Sequence, residues 1–213
     1  METKYPKYTT YEKIYKRFFK RDVTDLISLA HIEDSDTVLD ICGGNARLSK
    51  ELLKYSQNVS YLDQEKDMIP ENLQDLGITV YNISIQDFVK QSSIKYDKVF
   101  CQQAINYWLL DINMKDFSNL FKNGSLFIFN TFSNKPNIKP MIKEYTIENK
   151  KYIEISYLID DKVYHIQIME GYEPYFTIFD YIDESTYHKI LSPYFDVTKQ
   201  TDGKTSIYIC RRK

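Results

Sequence analysis

The sequence predicts a doubly wound α/β sheet that ends in an antiparallel hairpin and carries a small antiparallel β insertion. Three observations lead there. Short apolar runs alternate with helix-period stretches across residues 35 to 132, the pattern of βαβ units and a parallel sheet covered on both faces. The one adjacent glycine pair, Gly43-Gly44, directly follows the first of these runs in a chain with only six glycines, so bare backbone is needed there. Beyond Thr131 the apolar period changes from helical to the two-residue alternation of strands.

In chain order, Tyr11 to Arg21 sets Tyr11, Ile14, Tyr15, Phe18 and Phe19 against Lys13, Lys16, Arg17, Lys20 and Arg21, an amphipathic helix with a basic face. Val23, Leu26, Ile27 and Ala30 continue a helical period up to the acidic turn Glu33-Asp34-Ser35-Asp36. Thr37 to Ile41 is a buried strand, and Leu48, Leu52, Leu53 and Tyr55 mark the helix after it. Strands are expected at Asn58 to Leu62, Ile78 to Ile83, Lys98 to Cys101 and Ser125 to Thr131. Helices are expected between them at Pro70 to Leu76, Ile85 to Gln91 and Asn113 to Lys122.

Residues 134 to 140 hold two prolines and no apolar period. Tyr152 to Ile159 and Lys162 to Met169 then flank Asp160-Asp161, a two-residue hairpin turn. In that register Ile153, Ile155, Tyr157 and Ile159 share a face with Tyr164, Ile166 and Ile168, expected to be the core side. Tyr152, Glu154, Ser156, His165 and Gln167 share the other, expected to be the solvated side. A helix at Glu184 to Leu191 and two strands around Gly203, Phe195 to Lys199 and Thr205 to Cys210, close the chain. Residues 1–133 and 182–213 thus form the main domain, and 134–181 an inserted sheet.

The balance of 28 Lys and Arg against 30 Asp and Glu leaves a formal charge of −2, which argues against a globally basic nucleic-acid binder. No apolar run approaches the roughly 20 residues of a membrane span, and the first residues lack a secretory signal. A cytoplasmic location is expected. Cys42, Cys101 and Cys210 form no CxxC pair, and His31, His165 and His188 have no ligand spacing, so no metal site is expected.

Ligands on such sheets bind at the C-terminal strand ends. The first of these is Val38-Leu39-Asp40-Ile41-Cys42-Gly43-Gly44-Asn45-Ala46-Arg47. It resembles motif I of the class I S-adenosylmethionine-dependent methyltransferases, an acidic residue near a strand end followed by G-x-G-x-G. Cys42 and Ala46 stand at the first and third glycine positions, both small. The G-x-G-x-x-G spacing of dinucleotide folds is not met.

The resemblance implies a Rossmann-like fold and S-adenosylmethionine as cofactor, with S-adenosylhomocysteine as product. It places Asp40 near the cofactor ammonium, with Cys42, Gly43, Gly44 and Ala46 forming the turn. Asp63, after the second strand, would accept the ribose hydroxyls, and Gln64 would border the adenine. Ser84 and Ile85 would line the adenine pocket; Asp87 is either a substitute for the family's acidic residue there or an ordinary helix charge. The segment from Cys101 and Gln102 through Asn106 and Tyr107 resembles the motif IV region, which passes the methionine part of the cofactor and then the substrate.

The expected acceptor is a small molecule, by likeness of the insertion to the accessory sheets of amino-sugar N-methyltransferases, and methylation falls on nitrogen or oxygen. Tyr11 and Tyr15 are candidates to close the cleft, with core packing the alternative. Asn106, Tyr107 and His165 are candidates for the substrate side. His165 is also the candidate base, with the wet side of a sheet as its other reading. A catalytically silent binding protein and a nucleic-acid methyltransferase, the latter supported by Lys13 to Arg21, are the competing functions.

Overall fold

The computed structural model describes residues 23–132, 139–147, 149–201 and 205–213. The basic N-terminal helix, with Tyr11 and Tyr15, and the turn at Gly203 lie outside them. Seven strands form one sheet: β1 (Thr37–Ile41), β2 (Asn58–Leu62), β3 (Thr79–Tyr81), β4 (Tyr96–Gln102), β5 (Phe121–Phe132), β10 (Phe195–Thr201) and β11 (Thr205–Arg212). Their order is β10-β11-β5-β4-β1-β2-β3. The five strands from β3 to β5 are parallel, and β11 runs antiparallel between β5 and β10. The order reverses between β1 and β4, where the loops after the two strands diverge and leave a crevice.

Side-chain alternation along each strand feeds two cores. Leu39, Ile41, Val99, Cys101, Phe127 and Phe129 pack on one face with Phe88, Phe117 and Tyr187. These come from the helices Ile85–Gln91, Met114–Ser118 and Glu184–Leu191. Val38, Phe100, Leu126 and Ile128 pack on the opposite face with Leu26, Ile27, Leu48 and Leu52, from the helices Thr24–Ser28 and Arg47–Leu52. Helices on both faces give the doubly wound, Rossmann-like arrangement.

Two expected elements differ. Residues 71–77 form consecutive turns instead of a helix: Leu73 is buried while its carbonyl accepts from the Ile78 N–H, so the segment bends back into β3. The helix after Asn113 ends at Ser118, because Phe121 already pairs with Tyr96 at the start of β5.

The insertion contributes a second, antiparallel sheet in the order β6-β7-β8-β9 (Met141–Ile147, Lys150–Ile159, Lys162–Met169 and Tyr175–Asp180). The β7–β8 register has Ile155 opposite Ile166 and Ser156 opposite His165. Asp160 and Asp161 both adopt positive φ, 47° and 58°, the mirror-type turn that matches strand twist.

The two faces are reversed from the expectation. Tyr152, Ser156, Leu158, Val163, Gln167 and Met169 are buried, whereas Ile159 is 50% and Ile168 36% exposed. The cause is docking: Leu158, Val163 and Phe179 pack on Tyr107 of the short 3-10 turn Ile105–Tyr107. The more polar face therefore turns toward the main sheet.

Candidate active site

The turn after β1 is built by its neighbours in β2. A Cβ on Gly43 would lie 2.4 Å from the Tyr61 ring, so only glycine fits between that ring and the strand end. Tyr61 then donates its hydroxyl to the Gly44 carbonyl at 2.7 Å. Cys42, Gly44 and Ala46 all have positive φ, 56°, 52° and 57°. A non-glycine residue in this region costs on the order of 1 kcal/mol, and small side chains at Cys42 and Ala46 keep that cost low.

Asp40 sits at the last turn of β1, fully enclosed. Ser49, one turn into the following helix, donates its hydroxyl to Oδ2 at 2.5 Å. Oδ1 is buried without a hydrogen-bond partner. Burial pushes the carboxyl up to about 7, against the opposing pull of the Ser49 hydroxyl.

Asp63, at the end of β2, accepts the Gly44 N–H on Oδ2 and the Glu65 N–H on Oδ1, both at 2.9 Å. It clamps the first two loops, and each oxygen keeps a lone pair for a further donor. Burial raises its carboxyl too. Asn82 closes the neighbouring loop by donating to the Asp63 and Gln64 carbonyls. Gln64 is exposed. Ser84 caps the helix Ile85–Gln91, accepting the Asp87 N–H and donating to its carboxylate. Asp87 is thereby a cap partner, and Ile85 is largely core.

On the β4 side Cys101 is completely enclosed, so its side chain faces the core rather than the crevice. Gln102 and Gln103 are half-buried. Gln103 has φ +58°, donates its N–H to Asn130 Oδ1 at 2.8 Å, and buries an Nε2 with no hydrogen-bond partner. Sequence reading passed over Gln103, Tyr61 and Asn82, because their contacts cross between loops and follow no local spacing.

Asn106 is drawn into structure. It donates to the Asp180 carbonyl at 2.7 Å and accepts from Thr131 at 2.8 Å and Tyr187 at 3.1 Å, tying the inserted sheet to the main one and using both lone pairs of its Oδ1. Tyr107 hydrogen-bonds Thr177 and packs its ring 5.3 Å from that of Phe179. His165 is not on the wet side: its side chain is 17% exposed, with Nε2 3.6 Å from Glu154 Oε1. Among the described residues no group of three or more His, Cys, Asp or Glu is arranged to hold a metal, and no helix is long and apolar enough to cross a membrane.

This strand order, with a glycine turn after β1 and a carboxylate after β2, is the fold of the class I S-adenosylmethionine-dependent methyltransferases. Solved structures agree. A S-adenosylmethionine-dependent methyltransferase from Clostridium acetobutylicum superposes with a TM-score of 0.71 at 16% identity, covering 96% of each chain. DesVI of Streptomyces venezuelae gives 0.74 at 12%, covering 94% of this chain and 96% of its own. CalS10, an amino pentose methyltransferase from Micromonospora echinaspora solved with S-adenosylmethionine bound, gives 0.69 at 12% over the whole of both chains. An uncharacterised protein of Methanocaldococcus jannaschii is 31% identical over 148 residues, 68% of this chain. The match spans only 56% of that relative's length. No family model matches the chain.

Proposed function

We propose that the protein transfers the methyl group of S-adenosylmethionine to a nitrogen or oxygen of a small-molecule acceptor. The observation that carries this reading is the buried, unpartnered Oδ1 of Asp40 beside the glycine turn. An isolated buried carboxylate oxygen is costly, and an ammonium group would satisfy it. Gln103 Nε2, the complementary unpartnered donor after β4, suits a carboxylate. Together they fit the two ends of an amino acid moiety. Asp63 has lone pairs for two ribose hydroxyls, and the adenine would lie beside the loop after β3, near Ser84, with Ile85 taken up by the core.

When bound, the cofactor supplies an activated methyl on a sulfonium, so the protein's task is alignment and exclusion of water. Asp40 and Gln103 would hold the amino acid end, and Asp63 would fix the ribose while keeping the Gly44 loop in place. The polar face of the inserted sheet, reaching the main sheet through Tyr107 and Thr177, would form the acceptor wall. The acceptor class is supported by the fold likeness, over nearly the whole chain, to the amino pentose methyltransferase CalS10 and the sugar N-methyltransferase KedS8.

Calorimetric titration of ligand-free protein with S-adenosylmethionine and S-adenosylhomocysteine, with NAD as control, tests the reading. Saturable binding of the first two alone is expected. An acceptor panel of amino sugars, phenols, RNA and protein then tests the acceptor class, and methylation confined to RNA or protein would overturn it. Absence of binding would leave a silent scaffold.

A further inference from the structure

The pair His165–Glu154 lies on the face of the inserted sheet that docks on the main sheet through Leu158, Val163, Phe179 and Tyr107. His165 sits on β8 between Ser156 of β7 and Thr177 of β9. Thr177 hydrogen-bonds Tyr107, whose ring packs into the same core as Cys42 of the glycine turn. Thr177 and Tyr107 thus link the strands that carry His165 to the core beneath the end of β1. Glu154 is equally enclosed, at 16% exposure, with Oε1 3.6 Å from Nε2, outside hydrogen-bond distance. A carboxylate and an imidazole enclosed together, away from the outer face, have no evident packing purpose there.

We infer that His165 is the group that takes the proton from the methyl acceptor, and that Glu154 is its positioning residue. The inference rests on the methyl-transfer reading above. Nε2 of His165 is buried without a hydrogen-bond partner, 3.6 Å from Glu154 Oε1, so the neutral imidazole can take up a proton on Nε2 beside a carboxylate that favours the imidazolium. The acceptor's nitrogen or oxygen lone pair forms the new bond to the methyl carbon. The carbon–sulfur bond breaks with both electrons passing to sulfur, and the acceptor's proton moves to Nε2 of His165. The resulting imidazolium faces Glu154 and returns its proton to water.

The surroundings suit that task. Burial lowers the His165 pKa, Glu154 opposes this, and Lys143 on β6, opposite Glu154 in register, adds to it. The other titratable groups on this face are Tyr145 of β6, Lys150 and Tyr152 of β7, Tyr175 of β9, Tyr181 just beyond β9 and, from the main sheet, Tyr107. Near neutral pH the imidazole is therefore uncharged and able to accept.

The chain has three histidines, so each imidazole is resolvable by NMR, with His165→Gln identifying the signal. His165 is titrated in the full chain alone and with saturating S-adenosylhomocysteine or sinefungin, a cofactor analogue with a protonated amine in place of the transferred methyl. Sinefungin, but not S-adenosylhomocysteine, is expected to lower the His165 midpoint by roughly half a pH unit or more, through like-charge repulsion. In Glu154→Gln the midpoint should fall below that of the native protein, with His31 and His188 unmoved as reporters of an intact fold. Equal midpoints in the two complexes would overturn the proton-acceptor role, and a midpoint indifferent to Glu154→Gln would overturn the pairing. Failure of either compound to bind by calorimetry would remove the methyl-donor reading and this inference with it. Binding of both with His165 unmoved would remove this inference alone.

Discussion

Asp40 couples the site to pH. Its folded-state pKa, about 7, lies above the ordinary carboxylate value, so the folded chain binds the proton more tightly than the unfolded one. The associated stability is complete below about pH 4 and is lost as pH rises through about 7. Denaturation of the ligand-free protein from pH 4 to 8 should show this decline, on the order of a few kcal/mol. Asp40→Asn should flatten it. A bound ammonium would favour the ionised carboxylate, so cofactor binding should release a proton near pH 6.5, read by calorimetry in buffers of different ionisation enthalpy.

Asp63 and Gly43 show how single residues serve the loop rather than the ligand alone. Asp63→Ala removes the acceptor for the Gly44 and Glu65 amides as well as any ribose contact. It should cost roughly 1 to 3 kcal/mol in stability and a comparable amount in cofactor binding, separable by melting with and without S-adenosylhomocysteine. Gly43→Ala forces the Tyr61 ring aside and should destabilise by roughly 1 to 3 kcal/mol. In a Tyr61→Val background the same change should cost less, a non-additivity that a double-mutant cycle would measure.

Asn106 is a joint between elements. One side chain bonds β9, β5 and the helix Glu184–Leu191. Asn106→Ala would leave the buried Tyr187 hydroxyl only its 3.4 Å contact with Thr131 and release the Asp180 carbonyl. It should cost roughly 2 to 4 kcal/mol and speed amide exchange in β9 more than in β1. The inserted sheet gives the complementary lesson. Its hairpin register follows from the Asp160-Asp161 turn and the alternation, whereas the choice of buried face does not. Apolar content alone points to the wrong face; docking decides, and Tyr107 docks on the one that carries Leu158, Val163 and Phe179.

Across the molecule, the main sheet derives its rigidity from a ring cluster on one face. Phe117 meets Trp108, Phe121 and Phe127 at centroid distances of 5.1 to 5.2 Å. Phe117→Ala should cost roughly 3 to 5 kcal/mol, measured by denaturant unfolding. Such a platform holds the strand ends still while the loops above them carry the polar groups.

The parallel order of apolar runs, the glycine pair and the acidic residue near the end of each of the first two strands are local signals. Periodicity and turn chemistry act within a few residues, so the α/β class and the positions of Asp40, Gly44 and Asp63 are legible in the chain itself. What needed the folded molecule are contacts between residues distant in sequence. These include the Tyr61 ring under Gly43, the unpartnered Gln103 amide, the capture of Asn106 by three elements, the enclosure of Cys101, and the turn of the inserted sheet that faces His165 and Glu154 inward. Each depends on which surfaces exclude water from each other, and that is settled only when the two sheets pack together.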